Sequence, residues 1–429
     1  MKEDFLHYIW QHQYFDKTHL STTAGEPVQM LRTGFYNTDA GPDFKEALLQ
    51  IGEVEWSGSV EVHLKASDWY CHQHQQDLKY DQVVLHVVWE ADKPVLHIDG
   101  TPVPTLELKG RINLALLHTY EQLQQSRHAV PCAPFWPSIN EITKTMMLER
   151  ALVERLEARG EEVLKFYTTG GNDWEQAAYG VLLRGFGFKT NQQAFELLAK
   201  ALPLTVVRRH RHNLLQVEAL LLGQAGFLTA PEDDYTLQLQ KEYNFLSHKY
   251  GLQPNALQRH QWNFLRMRPA NFPTLRLAQL AALLHRYQSL FSGIVEADSI
   301  KQYEALFRVP VSGYWQEHYM PGRSAKVVQQ SMGIGSAHNL IINVAVPLLA
   351  AYAIHNGNKL YLDKAVSLLE LVKEETNKVT RLYEELGWKT KNAAGSQAAL
   401  GLYKYYCQPV NCMRCAIGNK IMKQNSATA

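Results

Sequence analysis

Residues 37–90 read NTDAGPDFKEALLQIGEVEWSGSVEVHLKASDWYCHQHQQDLKYDQVVLHVVWE, and this stretch decides the fold. Three runs within it have strand character: Ala47–Ile51, Val54–Leu64 and Val83–Trp89. The first two predict a hairpin across Gly52-Glu53, with Gly58 marking a bulge. VVLHVVW at 83–89 is apolar throughout, as in a central strand covered on both faces. A period of two along Val60–Leu64 projects Glu61, His63 and Lys65 to one side and buries Val60, Val62 and Leu64 on the other.

Working outward, an amphipathic helix from about Glu3 to Gln13 and a strand at Val28–Thr33 precede this stretch. A strand at Val103–Leu108 and a helix at Asn113–Gln125 follow it. Residues 1–128 therefore form a compact α/β domain with a mixed sheet. AVPCAPFWP at 129–137 lies in a proline-bearing joint, 129–138. From 139 to 429 the apolar period is near 3.6 in Ile142–Phe166, Trp174–Gly185, Gln192–Ala201, Leu214–Leu222, Gln261–Met267, Leu275–Phe291, Leu340–Ile354 and Tyr361–Val372. The expected class is α+β: an N-terminal α/β domain and a larger all-α domain that ends in a cysteine cluster.

The composition, 46% hydrophobic and 20% charged, excludes a disordered chain. No apolar run approaches the ~20 residues of a membrane helix, so no membrane association is expected. MKEDFLHYIW lacks the layout of a signal peptide, and five cysteines are too few for a disulfide framework. A reduced, cytoplasmic location is the expectation. The net charge of +1 hides an asymmetry, because residues 1–130 carry 10 basic and 18 acidic side chains together with 10 of the 18 histidines. Metal chemistry in front and polyanion binding behind would account for it. Motifs of P-loop and dinucleotide-binding proteins, serine hydrolases and zincins are absent.

The chemistry concentrates between Asn37 and Trp89. Glu61 and His63 lie ~7 Å apart on one strand face, close enough to flank one cation. Asp43 follows Gly41-Pro42 just before the partner strand, so hairpin closure can bring it to the same face. His86 projects from the neighbouring strand, and His72 and His74 form an H-x-H pair in the intervening loop near Asp68. Two carboxylates beside Lys or His suit metal-assisted phosphodiester cleavage. Hard oxygen ligands favour Mg²⁺ or Mn²⁺, and nearby imidazoles pull toward Mn²⁺ or Zn²⁺. Two other readings stand beside this one. His63, His72, His74 and His86 could make a zinc metallohydrolase site, or the domain could bind nucleic acid or protein without catalysis.

Cys407, Cys412 and Cys415 fall within nine residues, and the C-x-x-C step suits a tetrahedral thiolate site. Cys132 or a histidine would be the fourth ligand, to zinc or a [4Fe–4S] cluster. Arg208, Arg209 and Arg211, with Arg266, Arg268 and Arg276, are interleaved with Trp262, Phe264 and Phe272. They could clamp the phosphates and stack the bases of DNA or RNA.

G-P-D-F at 41–44, a hairpin, and V-E-V-H-L-K at 60–65 together resemble the core of the PD-(D/E)XK nuclease superfamily. The resemblance implies a restriction-endonuclease-like N-terminal domain with a divalent cation. Asp43 and Glu61 would be its carboxylates, His63 would stand in the lysine place, and Lys65 would be a migrated substitute. The cysteine arrangement is similar to the iron–sulfur staple of some of those nucleases. Across almost the whole chain, NTDAGPDF, WSGSVEVH, SDWYCHQH, LLLGQAGFL, RMRPANFPTLRLAQLA and CMRCAIGN are similar to a bacterial family, domain of unknown function 2851. That likeness implies a bacterial source and no particular activity.

Overall fold

In the computed structural model, residues 1–325 and 330–426 are described. The chain opens with α1 (Glu3–His12), then β1 (Val28–Arg32), β2 (Phe35–Tyr36), β3 (Phe44–Ile51) and β4 (Val54–Lys65). A four-residue helix, α2 (Asp68–Cys71), and two 3₁₀ turns lead to β5 (Val83–Glu90), β6 (Thr105–Glu107) and α3 (Leu114–Gln124). The sheet order is β1-β3-β4-β5-β6, with β2 also paired to β3. β1, β3 and β4 are antiparallel, while β5 and β6 continue parallel to β4. This is the expected mixed sheet, with β5 as an interior strand whose first six residues are buried.

Two details of the hairpin have local causes. Ile51 pairs with Val54 across a turn opened by Gly52 at a φ of +61°. The bulge lies on β3, not at Gly58. Phe44 faces Val60 and Ala47 faces Gly58, so β3 carries the extra residue where Glu46 has a φ of +58°. Gly58 answers a different need: a Cβ there would meet Val84 Cγ1 at 2.5 Å and the Gln82 carbonyl at 2.6 Å. The glycine lets β5 lie against β4 at its start.

α1 packs on β4 with Phe5, Leu6, Ile9 and Trp10 buried, one stripe of a helix whose other positions include Glu3 and His7. Trp69 is fully buried with Ala66, Val83, Val88, Val95 and Val103. It anchors the crossover between the parallel strands.

The helices that follow are α4 (Glu141–Thr169), α5 (Trp174–Phe186), α6 (Gln192–Ala201), α7 (Leu204–His210), α8 (Leu214–Gln224), α9 (Asp234–Tyr250) and α10 (Pro273–Arg286). Then come α11 (Leu290–Glu296), α12 (Ile300–Phe307), α13 (Ile334–Leu340), α14 (Val346–Asn356), α15 (Leu360–Leu371), α16 (Lys378–Glu385), α17 (Ala393–Leu402) and α18 (Ala416–Ser426). A small hairpin, β7 (His318–Met320) with β8 (Arg323–Ser324), interrupts them, so this part is mostly rather than wholly helical. Gln261–Met267, expected as helix, is instead 3₁₀ and irregular. Arg266 has a φ of +59°, and Pro269 follows.

α13 and α14 are joined by a π turn at Ile341–Ala345 ahead of Pro347, whose missing N–H breaks the α-helical ladder. Arg159 donates to the Ile342 carbonyl there at 3.0 Å. As one run, Ile334–Asn356 has the length and apolar composition of a membrane-crossing helix, which the sequence expectation had excluded. In the structure 72% of its most apolar window is buried.

Two compact units emerge, 1–148 with 402–429 and 149–401. The joint 129–138 and the C-terminal cysteines thus both belong with the sheet, where α18 packs on α3. The sequence reading had closed the first domain at 128 and assigned the cysteines to the helical one. The sequence separation hides this return of the chain.

Candidate metal centre

Asp43 and Glu61 are held by each other's strands. The Asp43 N–H donates to Glu61 Oε2 at 3.1 Å, and the Val62 N–H donates to Asp43 Oδ2 at 3.0 Å. Asn37 braces the loop in front, donating from Nδ2 to the Asp39 and Pro42 carbonyls at 3.0 Å each. With Oε2 occupied, the other Glu61 oxygen faces imidazoles. Oε1 lies 3.5 Å from His63 Nε2 and 3.3 Å from His74 Nε2.

His63 follows Glu61 on the same face of β4. His72 and His74 come from the crossover, where Gln73 between them has a φ of +61° and folds the loop back. His63 Nε2 is 3.1 Å from His72 Nδ1. One ring nitrogen from each of His63, His72 and His74 lies within 4.8 Å of the other two. Tetrahedral ligands at zinc–nitrogen distances are separated by about 3.4 Å. His63 Nε2 and His72 Nδ1, 3.1 Å apart, come close to that value, and the His74 donor lies within 4.8 Å of both, so three imidazoles converge as ligands of a transition-metal ion would.

A second layer holds these rings. His63 Nδ1 is 2.9 Å from His86 Nε2, a partner that leaves His63 Nε2 to face the centre. Tyr80 stacks on His74 at 3.7 Å between centroids, and Trp69 lies 5.3 Å from both His74 and His86. His7 of α1 brings Nε2 within 3.1 Å of Asp43 Oδ2. His7 was not among the candidates from sequence, although Glu3 and His7 are one helical turn apart on α1.

Burial governs the electrostatics. It pushes Glu61 up to about 8, with the Asp43 charge adding to the effect. Burial and the neighbouring imidazoles push His63 down to about 2, and burial pushes His86 down to about 3, so both are neutral ligand-type imidazoles. For His7 burial works against the charged form, but the Asp43 carboxylate outweighs it and the pKa is raised. Glu61, His63 and His74 are buried, whereas His72 is exposed and Asp43 partly so. The centre opens on the side of Asp43 and His72.

Lys65 shares the face of Glu61 but is exposed at the end of β4, where it pairs with Glu90 of β5 and interacts with the charge of Asp92. The structure therefore brings Asp43, Glu61, His63, His72, His74 and His86 together and leaves Lys65 out. An imidazole-rich centre replaces the expected carboxylate–lysine one.

Four of the five cysteines of the first unit, Cys132, Cys407, Cys412 and Cys415, are buried, and Cys71 is exposed. Burial raises the Cys132 thiol, and Cys407, Cys415 and Cys412 each raise it further. Burial pushes Cys412 up to about 12 with help from Cys415 and Cys407. Cys132 is thus within electrostatic reach of the C-terminal three, whereas the ligand atoms that converge to within 4.8 Å among the described residues are those of His63, His72 and His74. Gly418 permits the tight loop, since a Cβ there would fall 2.0 Å from the Cys412 carbonyl.

The arginines divide. Arg209, Arg266 and Arg268 are exposed, Arg208 pairs with Glu175 at 3.3 Å, and Arg211 donates to Gln288 Oε1 at 3.1 Å. Arg276 is only 4% exposed and is no part of a surface patch. Trp262 is likewise a core residue, donating to the Ala225 carbonyl at 2.8 Å.

The model of a family described as "Protein of unknown function (DUF2851)" matches residues 3–378. No curated protein and no solved structure matches the chain.

Proposed function

The chain belongs to the DUF2851 family, and we propose from its own geometry that it is a metal-dependent hydrolase of phosphodiesters, with DNA or RNA as the substrate class. The convergence of His63, His72 and His74 beside Glu61 carries this reading. Their nitrogens suit Zn²⁺ or Mn²⁺ better than Mg²⁺. A bound ion of this kind would lower the pKa of a coordinated water toward neutrality.

The remaining roles fall to side chains. Glu61 Oε1 lies beside two of the ligand nitrogens; ionised, as a cation bound there would favour, it can take a proton from the nucleophile. Asp43 orients Glu61 through its N–H, and its carboxylate holds His7 at the open side, where a phosphate would enter. His86 fixes the His63 ring. The order of α1, three antiparallel strands and a parallel fourth strand supports a nuclease-like origin, with Asp43 opening the second of the three and Glu61-Val-His63 on the third.

The four cysteines hold a second centre, structural in role, which ties residue 132 to the chain's end through thiolate ligation. A brown, iron-containing protein after anaerobic purification supports a cluster, and colourless stoichiometric zinc supports a single ion. Absence of both metals contradicts this centre. A cytoplasmic location fits ligands that must stay reduced.

The direct test of function is hydrolysis of bis(p-nitrophenyl) phosphate and of single- and double-stranded DNA and RNA with added Mn²⁺ or Zn²⁺. Wild type cleaves and Glu61→Gln does not. Equal rates for the two, or no cleavage by either of any substrate, contradict the proposal.

A further inference from the structure

Buried cations normally face carboxylates, because an uncompensated charge taken out of water costs several kcal/mol. Arg276 on α10 breaks this rule. It is 4% exposed, and its acceptors are all neutral: Gln279 Oε1 at 2.8 Å from Nη1, with Asn271 Oδ1 at 2.7 Å and Ser336 Oγ at 2.9 Å from Nη2. The Phe188 ring lies 4.5 Å away and offers only its π face. Among the described residues the guanidinium forms no ion pair with a carboxylate, and the buried Nε–H has no partner. Burial alone pushes the group down to about 10, so it still carries its charge at neutral pH.

This guanidinium lines a cavity of about 320 Å³ in the helical unit. Lys189, Thr190 and Ser336 share the lining with Arg276, as do the apolar side chains of Phe186, Phe195 and Met267. Phe188 holds a φ of +46°, a strained conformation for a bulky residue. An unpartnered Nε–H, a lining that mixes cationic and aromatic side chains, and a missing counter-charge are complementary to an anion on an apolar body.

We propose that this cavity is a binding site for a small phosphate monoester, with the phosphate on Arg276 and Lys189 and the organic part against Phe186 and Phe195. A phosphate supplies the missing negative charge and accepts from Nε, while the planar guanidinium favours an oxyanion with several acceptor oxygens. The site uses none of the residues of the metal centre and does not depend on its function.

The test is calorimetric titration of the full-length protein with phenyl phosphate, inorganic phosphate and benzoate, in buffer of constant ionic strength. Phenyl phosphate binds saturably and more tightly than either other probe. Arg276→Met weakens it by at least 10-fold, and Lys189→Ala at the exposed rim weakens it several-fold even if the Arg276 variant fails to fold. His72→Ala, which disables the candidate metal centre, leaves the affinity unchanged. The proposal is overturned if wild type shows no saturable binding of phenyl phosphate, if benzoate binds more tightly, or if Lys189→Ala has no effect. Loss of binding in His72→Ala would also overturn it, because it would move the phosphate to the metal centre.

Discussion

Asp43 and Glu61, separated by a hairpin, each accept a hydrogen bond from the other's strand: Asp43 N–H to Glu61 Oε2 at 3.1 Å, and Val62 N–H to Asp43 Oδ2 at 3.0 Å. This reciprocal lock sets the Glu61 carboxyl so that Oε1 meets the imidazoles. It also separates the two carboxylates in role, since Asp43 holds Glu61 and His7 without lying in the nitrogen trio.

Replacing Asp43 with Asn should therefore leave metal content intact and lower hydrolysis by about 100-fold, the scale of a lost acid–base or positioning contribution. Metal analysis and rate measurement on the same preparation check the two halves separately. Loss of metal together with activity would place Asp43 among the ligands instead.

His86 is fully buried and meets the ligand set through His63 Nδ1. His86→Phe keeps the bulk against Trp69 and removes the hydrogen-bond partner of His63 Nδ1. Metal affinity should fall by about 10–100-fold, as for other second-layer partners of ligating histidines. Competition with a chromophoric chelator measures this, and unchanged affinity would show that His63 needs no fixing.

At the start of β4 and β5, Gly58→Ala should destabilise the first unit by about 1–3 kcal/mol, because the added methyl group overlaps Val84 and the Gln82 carbonyl. Urea unfolding followed by Trp fluorescence reports the change. A neutral effect would mean that the strands separate at little cost.

Glu218 on α8 gives the helical unit a pH dependence of its own. It is 1% exposed and accepts from the Tyr235 hydroxyl and from Ser312 Oγ, the latter at 2.8 Å. Burial pushes its carboxyl up from 4.5 to about 7. The folded protein thus holds a proton that the unfolded chain releases above pH 4.5. Its contribution is neutral below that pH and grows unfavourable as pH rises, levelling off above about 7 at about 3 kcal/mol. Glu218→Gln should remove this fall in stability, as measured by denaturant titrations on both sides of the window.

Much of the first unit was legible because its signals are local. The alternation across residues 54–64 and the Gly52-Glu53 turn specify the hairpin, and the short, valine-rich apolar run at 83–89 favours an interior strand. The crossover was harder to read, since α2 has four residues and the rest is 3₁₀ turn, too short for any period. Its histidines were noticed as a pair, but their meeting with His63 depends on the left-handed Gln73, which sequence does not announce. α9 has a weak apolar period because few of its seventeen residues are buried apolar ones, and its clearest local sign is the capping box of Asp233 and Thr236. Trp262 and Phe264 imitate a helical stripe over 261–267, yet they pack into the core from an irregular segment. Arg276 looked like a surface cation because charge patterning carries no information on depth.

The most direct measurement of the central claim is a crystal structure with anomalous diffraction recorded at the zinc and manganese edges after soaking in each metal. An anomalous peak about 2.0–2.2 Å from the ring nitrogens of His63, His72 and His74, on the side that Glu61 Oε1 faces, is the predicted result. Well-ordered histidines with no peak at either edge would contradict a metal centre at this position, and with it the hydrolytic role.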